Sequence, residues 1–301
     1  MTINDAHCHF FSSQFFNTLA RQRPASPDQD APDIWRELKW DDPRTADVLA
    51  DRWVAELDAH GVSRAALIAS VPADEASVAE AVAHHPTRLV GFFMVDPSAA
   101  DAADRVRHAI DELQLRCICL FPAMHHVPVT DDRVTRIVEI AASRPGVAVF
   151  VHCGVLSVGV RAKLGLPSRF DMRLGNPLDL LTQALAFPTV PFIIPHFGAG
   201  FLRETLMAAD TARNIHVDTS SSNGWIRYIP GLTLDAVFRS TLAVTGPSRL
   251  LFGTDSSFFP RGWLKTVYDT QRRIVDGAGV NASDAALIFG GNFDRLFPAA
   301  G

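Results

Sequence analysis

The chain has 301 residues, 48% hydrophobic and 20% charged, with a formal net charge of -5. That balance excludes a disordered chain and a solenoid, and the absence of any Lys/Arg cluster excludes the electrostatic footprint of nucleic-acid binding. No stretch approaches the ~20 apolar residues of a membrane span, so the expected partner is a small-molecule substrate, with no nucleic acid and no membrane.

The first residues, "MTINDAHCHF", lack a basic segment followed by a long apolar run, so a signal peptide is not expected and the cytoplasm is the expected compartment. Residues 3–10 read as a buried strand. Side chains alternate across a strand, which predicts Asp5, His7 and His9 on one face and Ala6, Cys8 and Phe10 on the other. A long connection over 11–44 follows, then a helix near 45–60. Further strands are expected at 65–70, 89–95, 116–121, 147–152, 191–196, 215–220 and 249–255, with helices near 74–84, 98–113, 131–143, 176–187, 200–213, 232–244 and 261–277. The tail "DAALIFGGNFDRLFP" reads as one more helix, a glycine turn and a short closing helix beneath or beside the rest.

Strands that are apolar on both faces and alternate with helices imply a parallel sheet covered by helices. Eight such units imply one domain over 1–301: a single (β/α)8 TIM barrel with long first and fifth βα loops and a C-terminal helical extension. An open doubly wound sheet is the rival architecture. It usually carries a glycine-rich turn after its first strand, where this chain has "HCHFFSS". The long loops, 11–44 and 153–175, both follow strands and would project from the carboxyl face, where active sites of this fold sit. Cys8, Cys117, Cys119 and Cys153 lie in apolar runs without disulfide-type spacing and are expected as reduced thiols.

Of the eleven histidines, four end strands: His7 and His9 the first, His152 the fifth and His196 the sixth, while Asp255 ends the eighth. In a closed barrel these ends converge on one mouth, and imidazole with carboxylate suits a borderline divalent ion such as zinc. Taken singly, each has a plainer explanation: a strand-end histidine can be a satisfied polar group, and Asp255 can cap a helix.

The pieces "DAHCH", "FVHCG", "IPHFGAG", "LLFGTDSSF" and the terminal "GGNFDRLF", in this order, resemble the amidohydrolase superfamily of metal-dependent barrel enzymes. They are most similar to its branch containing aminocarboxymuconate semialdehyde decarboxylase and numerous hydrolases. The resemblance implies that His7, His9, His152 and Asp255 bind one metal ion, most simply Zn2+ with Mn2+ or Co2+ as alternatives. It also implies that His196 stands beside the ion as an acid/base residue, with Asp255 the other catalytic group, and that the protein is a homodimer. Binuclear members carry a bridging lysine or acid on the fourth strand; Cys119 takes that place here, which supports one ion and leaves Cys119 as either a soft ligand or a buried structural thiol.

The leading function is then metal-dependent hydrolysis of an amide, lactone or ester. The alternatives are non-oxidative decarboxylation of an aromatic or dienoate acid and a catalytically inactive binding protein. Substrate contacts are sought in His125 of "FPAMHHVPV", in Arg161 and Arg169 of the fifth loop, whose guanidiniums suit carboxylates, and in Trp40 and Phe258 as an apolar wall. Lys163 and Arg173, and the aromatics Trp35, Phe259 and Trp263, are weaker members of the same set.

Overall fold

A computed structural model describes residues 1–23 and 32–299; residues 24–31, inside the first long loop, and 300–301 lie outside it. Its eight strands run parallel in sequence order: β1 (Asn4–Phe10), β2 (Arg64–Ala69), β3 (Leu89–Val95), β4 (Cys117–Leu120), β5 (Ala148–Val151), β6 (Phe192–Ile194), β7 (Ile215–Asp218) and β8 (Leu250–Leu251). Helices Ala46–Ala59, Glu75–His84, Ala102–Asp111, Asp132–Ala142, Leu181–Ala186, Leu202–Thr211, Leu234–Thr245 and Lys265–Gly277 lie between or after them. The sheet closes because the chain leaving β8 pairs with β1. Ala6 N–H donates to Phe252 O at 2.9 Å, Asp255 N–H to His7 O at 2.8 Å and His9 N–H to Ser256 O at 2.7 Å. The protein is a (β/α)8 barrel.

The strands carry almost no polar side chains because both of their faces are covered. Ala66, Ile68, Val90, Phe92, Met94, Cys117, Cys119, Ala148 and Phe150 fill the lumen, while Leu67, Phe93, Val95, Ile118, Leu120, Val149 and Val151 meet the helices outside. Gly91 stands where a Cβ would lie 2.3 Å from Leu115 and 3.1 Å from Val78, so its lack of a side chain lets the helical layer close onto β3. The tail plugs the amino-terminal end. From helix Asn292–Leu296 and just beyond it, Phe293 and Phe297 enter the lumen cluster, and Phe297 rests 5.0 Å from Phe92. Each buried phenylalanine contributes on the order of 2–3 kcal/mol. Arg64 fixes this plug by donating to Asp294 at 2.6 Å and to Phe297 O at 2.7 Å.

One expectation fails at the first strand. The register of β1 against β2 slips between Asp5 and Cys8, so Ala6 belongs to the lumen cluster and Asp5 turns away from the histidines. The cause is a set of partners remote in sequence: the buried Asp5 carboxylate accepts from Thr254 N–H at 3.1 Å, Thr254 Oγ1 at 2.5 Å and Trp263 Nε1 at 2.7 Å. His7 and His9 keep one face, with Cys8 and Phe10 opposite in the outer layer.

The two long loops pack on each other above the carboxyl face. Phe15, Phe16 and Leu19 of helix Ser13–Arg21, with Ile34 and Trp40, meet Val160, Leu164 and Leu166 of the fifth loop in a separate apolar cluster. Ser12 starts that helix, accepting from Phe15 N–H at 3.1 Å and donating to the buried Asp74 at 2.6 Å. The four cysteines are buried and unpaired, and no helix among the described residues is long and apolar enough to cross a membrane.

Candidate metal centre and active site

The barrel delivers the strand-end side chains to one place. His7, His9 and Asp255 have ligand atoms all within 4.8 Å of one another. His9 Nε2 lies 3.1 Å and His7 Nε2 3.7 Å from the same Asp255 oxygen. The His196 ring centroid is 4.9 Å from that of His7, and His152 stands one ring further, 5.4 Å from His196 and stacked on Phe121. His152 is therefore adjacent to, but outside, the tight three-residue group.

Hydrogen bonds behind the rings decide what faces the centre. His7 Nδ1 is 2.6 Å from Asp218 Oδ2 at the end of β7, so Nδ1 carries a hydrogen and, in the neutral ring, Nε2 carries a lone pair. His9 Nδ1 is 2.8 Å from Ser70 Oγ; that hydroxyl already donates to Ile68 O at 2.9 Å and so accepts from His9. In the neutral ring His9 Nε2 also presents a lone pair, 3.1 Å from a carboxylate oxygen. Two nitrogen lone pairs and an anionic oxygen pointing at one another repel unless a proton or a metal ion sits among them. His152 adds a buried Nδ1 with no hydrogen-bond partner. The residues fit a divalent ion, with nitrogen and oxygen donors of the kind zinc takes.

Electrostatics agree. Burial opposes ionisation of Asp255, but the surrounding imidazoles of His9, His7 and His196 outweigh it and hold the carboxyl well below the usual range. Burial also opposes ionisation of Asp218, which His7 nonetheless keeps low; burial pulls His7 down, but Asp218 more than compensates and its pKa is raised. Burial depresses His152 and His196, which are neutral imidazoles at pH 7. Both Asp255 and His196 adopt left-handed backbone, at φ 62° and 56°, and the left-handed run continues through Phe197, Gly198, Ala199 and Gly200. Such conformations cost free energy in L-residues and collect at functional sites. Gly198 is required there, since a Cβ would fall 1.9 Å from Thr205 Oγ1.

The other expected site residues are scattered. Trp40 is 8% exposed and stacks on Phe258 at 3.9 Å, so the pair belongs to the loop cluster as much as to the mouth. Lys163 lies over both rings, at 5.5 and 5.8 Å. Arg161 donates to Gln22 and, at 2.7 Å, to Pro167 O, bridging the two loops. Arg169 is exposed, with its carbonyl accepting from His126, and Arg173 pairs with Asp171. His125 is half-buried beside Asp96 with an unpartnered Nδ1, and burial lowers its pKa. Phe259 packs on Trp53, Trp263 serves Asp5, and Trp35 joins the loop cluster. Cys119 lies in the lumen core beside Cys117, outside the three-residue group.

Four residues escaped the sequence reading: Asp218, Ser70, Ser220 and Arg261. Asp218 and Ser220 sit two apart in "IHVDTS", the spacing that puts two polar groups on one strand face, and that period was the available signal. Arg261 lies over Phe258 at 4.5 Å and close enough to Asp255 for its charge to be felt. A second histidine–carboxylate group, Asp51 with His84 and His85, is an exposed ion-pair cluster in which both imidazoles bond the same oxygen, at 3.0 and 2.7 Å; it ties helix Ala46–Ala59 to the end of Glu75–His84.

Barrel and histidine–carboxylate cluster together define a class of enzyme scaffold that works at the carboxyl mouth. The chain belongs to the amidohydrolase family, whose model matches residues 4–299. Solved structures similar to it include 5-carboxyvanillate decarboxylase from Sphingomonas paucimobilis, at 16% identity over 99% of both chains with a TM-score of 0.66. A probable 2-pyrone-4,6-dicarboxylic acid hydrolase from Acinetobacter baumannii, solved with citric acid bound, is 14% identical over 99% of both chains, with a TM-score of 0.63. An amidohydrolase from Burkholderia multivorans with bound zinc is 15% identical over the full length of both, with a TM-score of 0.63. No curated protein matches the sequence. At these identities the solved structures show the fold, and they include both hydrolytic and decarboxylating enzymes.

Proposed function

We propose that this chain is a hydrolase that uses one divalent ion, held by His7, His9, His152 and Asp255, to cleave an amide, lactone or ester of a small anionic or aromatic substrate. The observation that carries the reading is the meeting of the His7 and His9 imidazoles with an ionised Asp255, a nitrogen and oxygen donor set of the kind a divalent ion takes. A divalent ion there supplies a water whose pKa falls from 15.7 toward about 7.

The chain's own groups do the rest. Asp255, held ionised by the surrounding imidazoles, accepts the proton of the attacking water. His196, kept neutral by burial, receives that proton from Asp255 at Nε2 and gives it to the leaving group. Phe121 and Phe150, against His152 and His7, exclude solvent from the inner side. Arg261 and the exposed Arg169 offer guanidiniums to a substrate carboxylate, with Phe258 supplying an aromatic face.

The test is a panel of amides, lactones and esters, with and without carboxylate groups, run in 18O-water on protein assayed for metal. The expected result is one ion per chain and one 18O in the product, abolished by chelation and restored by zinc, manganese or cobalt. Carbon dioxide release from a carboxylate without 18O uptake would overturn hydrolysis in favour of the decarboxylase alternative. Sedimentation testing the proposed homodimer would accompany it.

A further inference from the structure

Behind His7 and His196 lies a polar group on β7 that no step of the proposed chemistry uses. Ser220 Oγ is 3.0 Å from His7 Nδ1 and 2.9 Å from His196 Nδ1, and all three residues are buried. Asp218 Oδ1 accepts the Ser220 N–H at 2.6 Å, while Oδ2 accepts from His7 Nδ1 at 2.6 Å.

A hydroxyl has one hydrogen to give, so the directions can be counted. The Ser220 carbonyl, 3.3 Å from His196 Nδ1, can only accept, so that nitrogen carries a hydrogen. His7 Nδ1 already holds the hydrogen it donates to Asp218, so Ser220 cannot donate there. What remains for Ser220 Oγ is to accept, and the donor on its other side is His196 Nδ1. His196 is therefore the Nδ1–H tautomer, with its lone pair on Nε2, on the far side of the ring from Ser220.

We infer that Ser220 is a positioning residue that fixes the tautomer of His196, and that Asp218 governs both imidazoles, His7 directly and His196 through Ser220, whose backbone N–H it holds. The inference gives the proposed hydrolytic role of His196 its working atom and rests on that reading for its purpose. The tautomers are set in the metal-free chain whatever reaction follows. The arrangement also makes the two β7 residues unequal: removing Ser220 frees one ring, removing the Asp218 charge disturbs two.

Long-range 1H–15N spectra of the full-length, metal-free chain labelled at histidine read the tautomers directly. Wild type is expected to show His196 with hydrogen on Nδ1. Ser220→Ala shifts His196 to a mixture containing Nε2–H while the His7 signals hold, and Ser220→Thr, which keeps the hydroxyl, restores the wild-type pattern. Asp218→Asn changes both rings, and in a chelator competition weakens zinc binding about 10–100-fold, against less than about threefold for Ser220→Ala. His216, buried elsewhere, reports the fold and should keep its signals in every variant. Unchanged His196 nitrogens in Ser220→Ala overturn the inference, as does a Ser220→Ala effect on His7 equal to that on His196. Neither result touches the hydrolytic reading, which the 18O experiment decides separately.

Discussion

The strand ends and the long loops both overhang the barrel mouth, yet their polar residues meet different fates. At the strand ends, His7, His9, His196 and Asp255 turn lone pairs and charge toward a common centre, and residues such as Ser70 and Asp218 hold them from behind. In the loops, Arg161 binds Gln22 and Pro167 O, Arg173 binds Asp171, and aromatic rings stack on one another. A strand residue's direction follows from its register in a closed lattice, whereas a loop residue's direction follows from whichever neighbours the loop finds. In the proposed function the strand ends carry the chemistry, and the loops above all cover it.

The sharpest way to break this contrast is at Asp255. Asp255→Asn keeps the size and loses the charge; turnover is expected to fall about 10³-fold with the chain still folded, and a substantially active variant would end the catalytic assignment. Trp40→Ala tests the loops as a packing unit. Loss of its stacking on Phe258 and its contact with Phe16 should cost roughly 3 kcal/mol in denaturant unfolding.

Asp74, which anchors the first loop through Ser12, gives a pH signature of about the same size. Burial pushes its carboxyl up from 3.8 to about 6. Between those values the folded chain keeps a proton that the unfolded chain releases, so this contribution is complete below pH 3.8 and lost as pH rises through 6. Asp74→Asn cannot ionise. Its stability relative to wild type should climb from pH 4 and level off above pH 6 near about 3 kcal/mol, and a flat difference would refute the burial argument. Smaller effects separate the arginines. Arg261→Ala is expected to raise KM for a carboxylate substrate about tenfold. Arg161→Ala leaves KM unchanged and lowers stability by less than about 1 kcal/mol.

The same contrast explains what could be read from the residues alone. All eight strands lie within the expected segments, give or take a residue at their starts, because apolar runs interrupted by amphipathic stretches admit few other folds. Convergence of the strand-end histidines follows once the barrel closes. The slip at Asp5 was hidden because Thr254 and Trp263 stand 249 and 258 residues away and no local pattern announces them. Asp218 and Ser220 were passed over since "IHVDTS" reads as an ordinary strand whose polar pair gains meaning only beside His7. Arg161 and Arg169 of the fifth loop were sought as substrate contacts on charge alone, and charge does not say which way a loop side chain will point: Arg161 binds Gln22 and Pro167 O, while Arg169 is exposed.

The joint between β1 and the end of the chain has one more implication. His7 and His9 belong to one margin of that seam and Asp255 to the other, so an ion gripped by all three would rivet the barrel's first turn of chain to its last. Cofactor loading and mechanical integrity would then be one property. Stripping the ion should let the hoop loosen first at the seam, seen as faster amide exchange at His9 and Asp255 than at residues of β3 or β4.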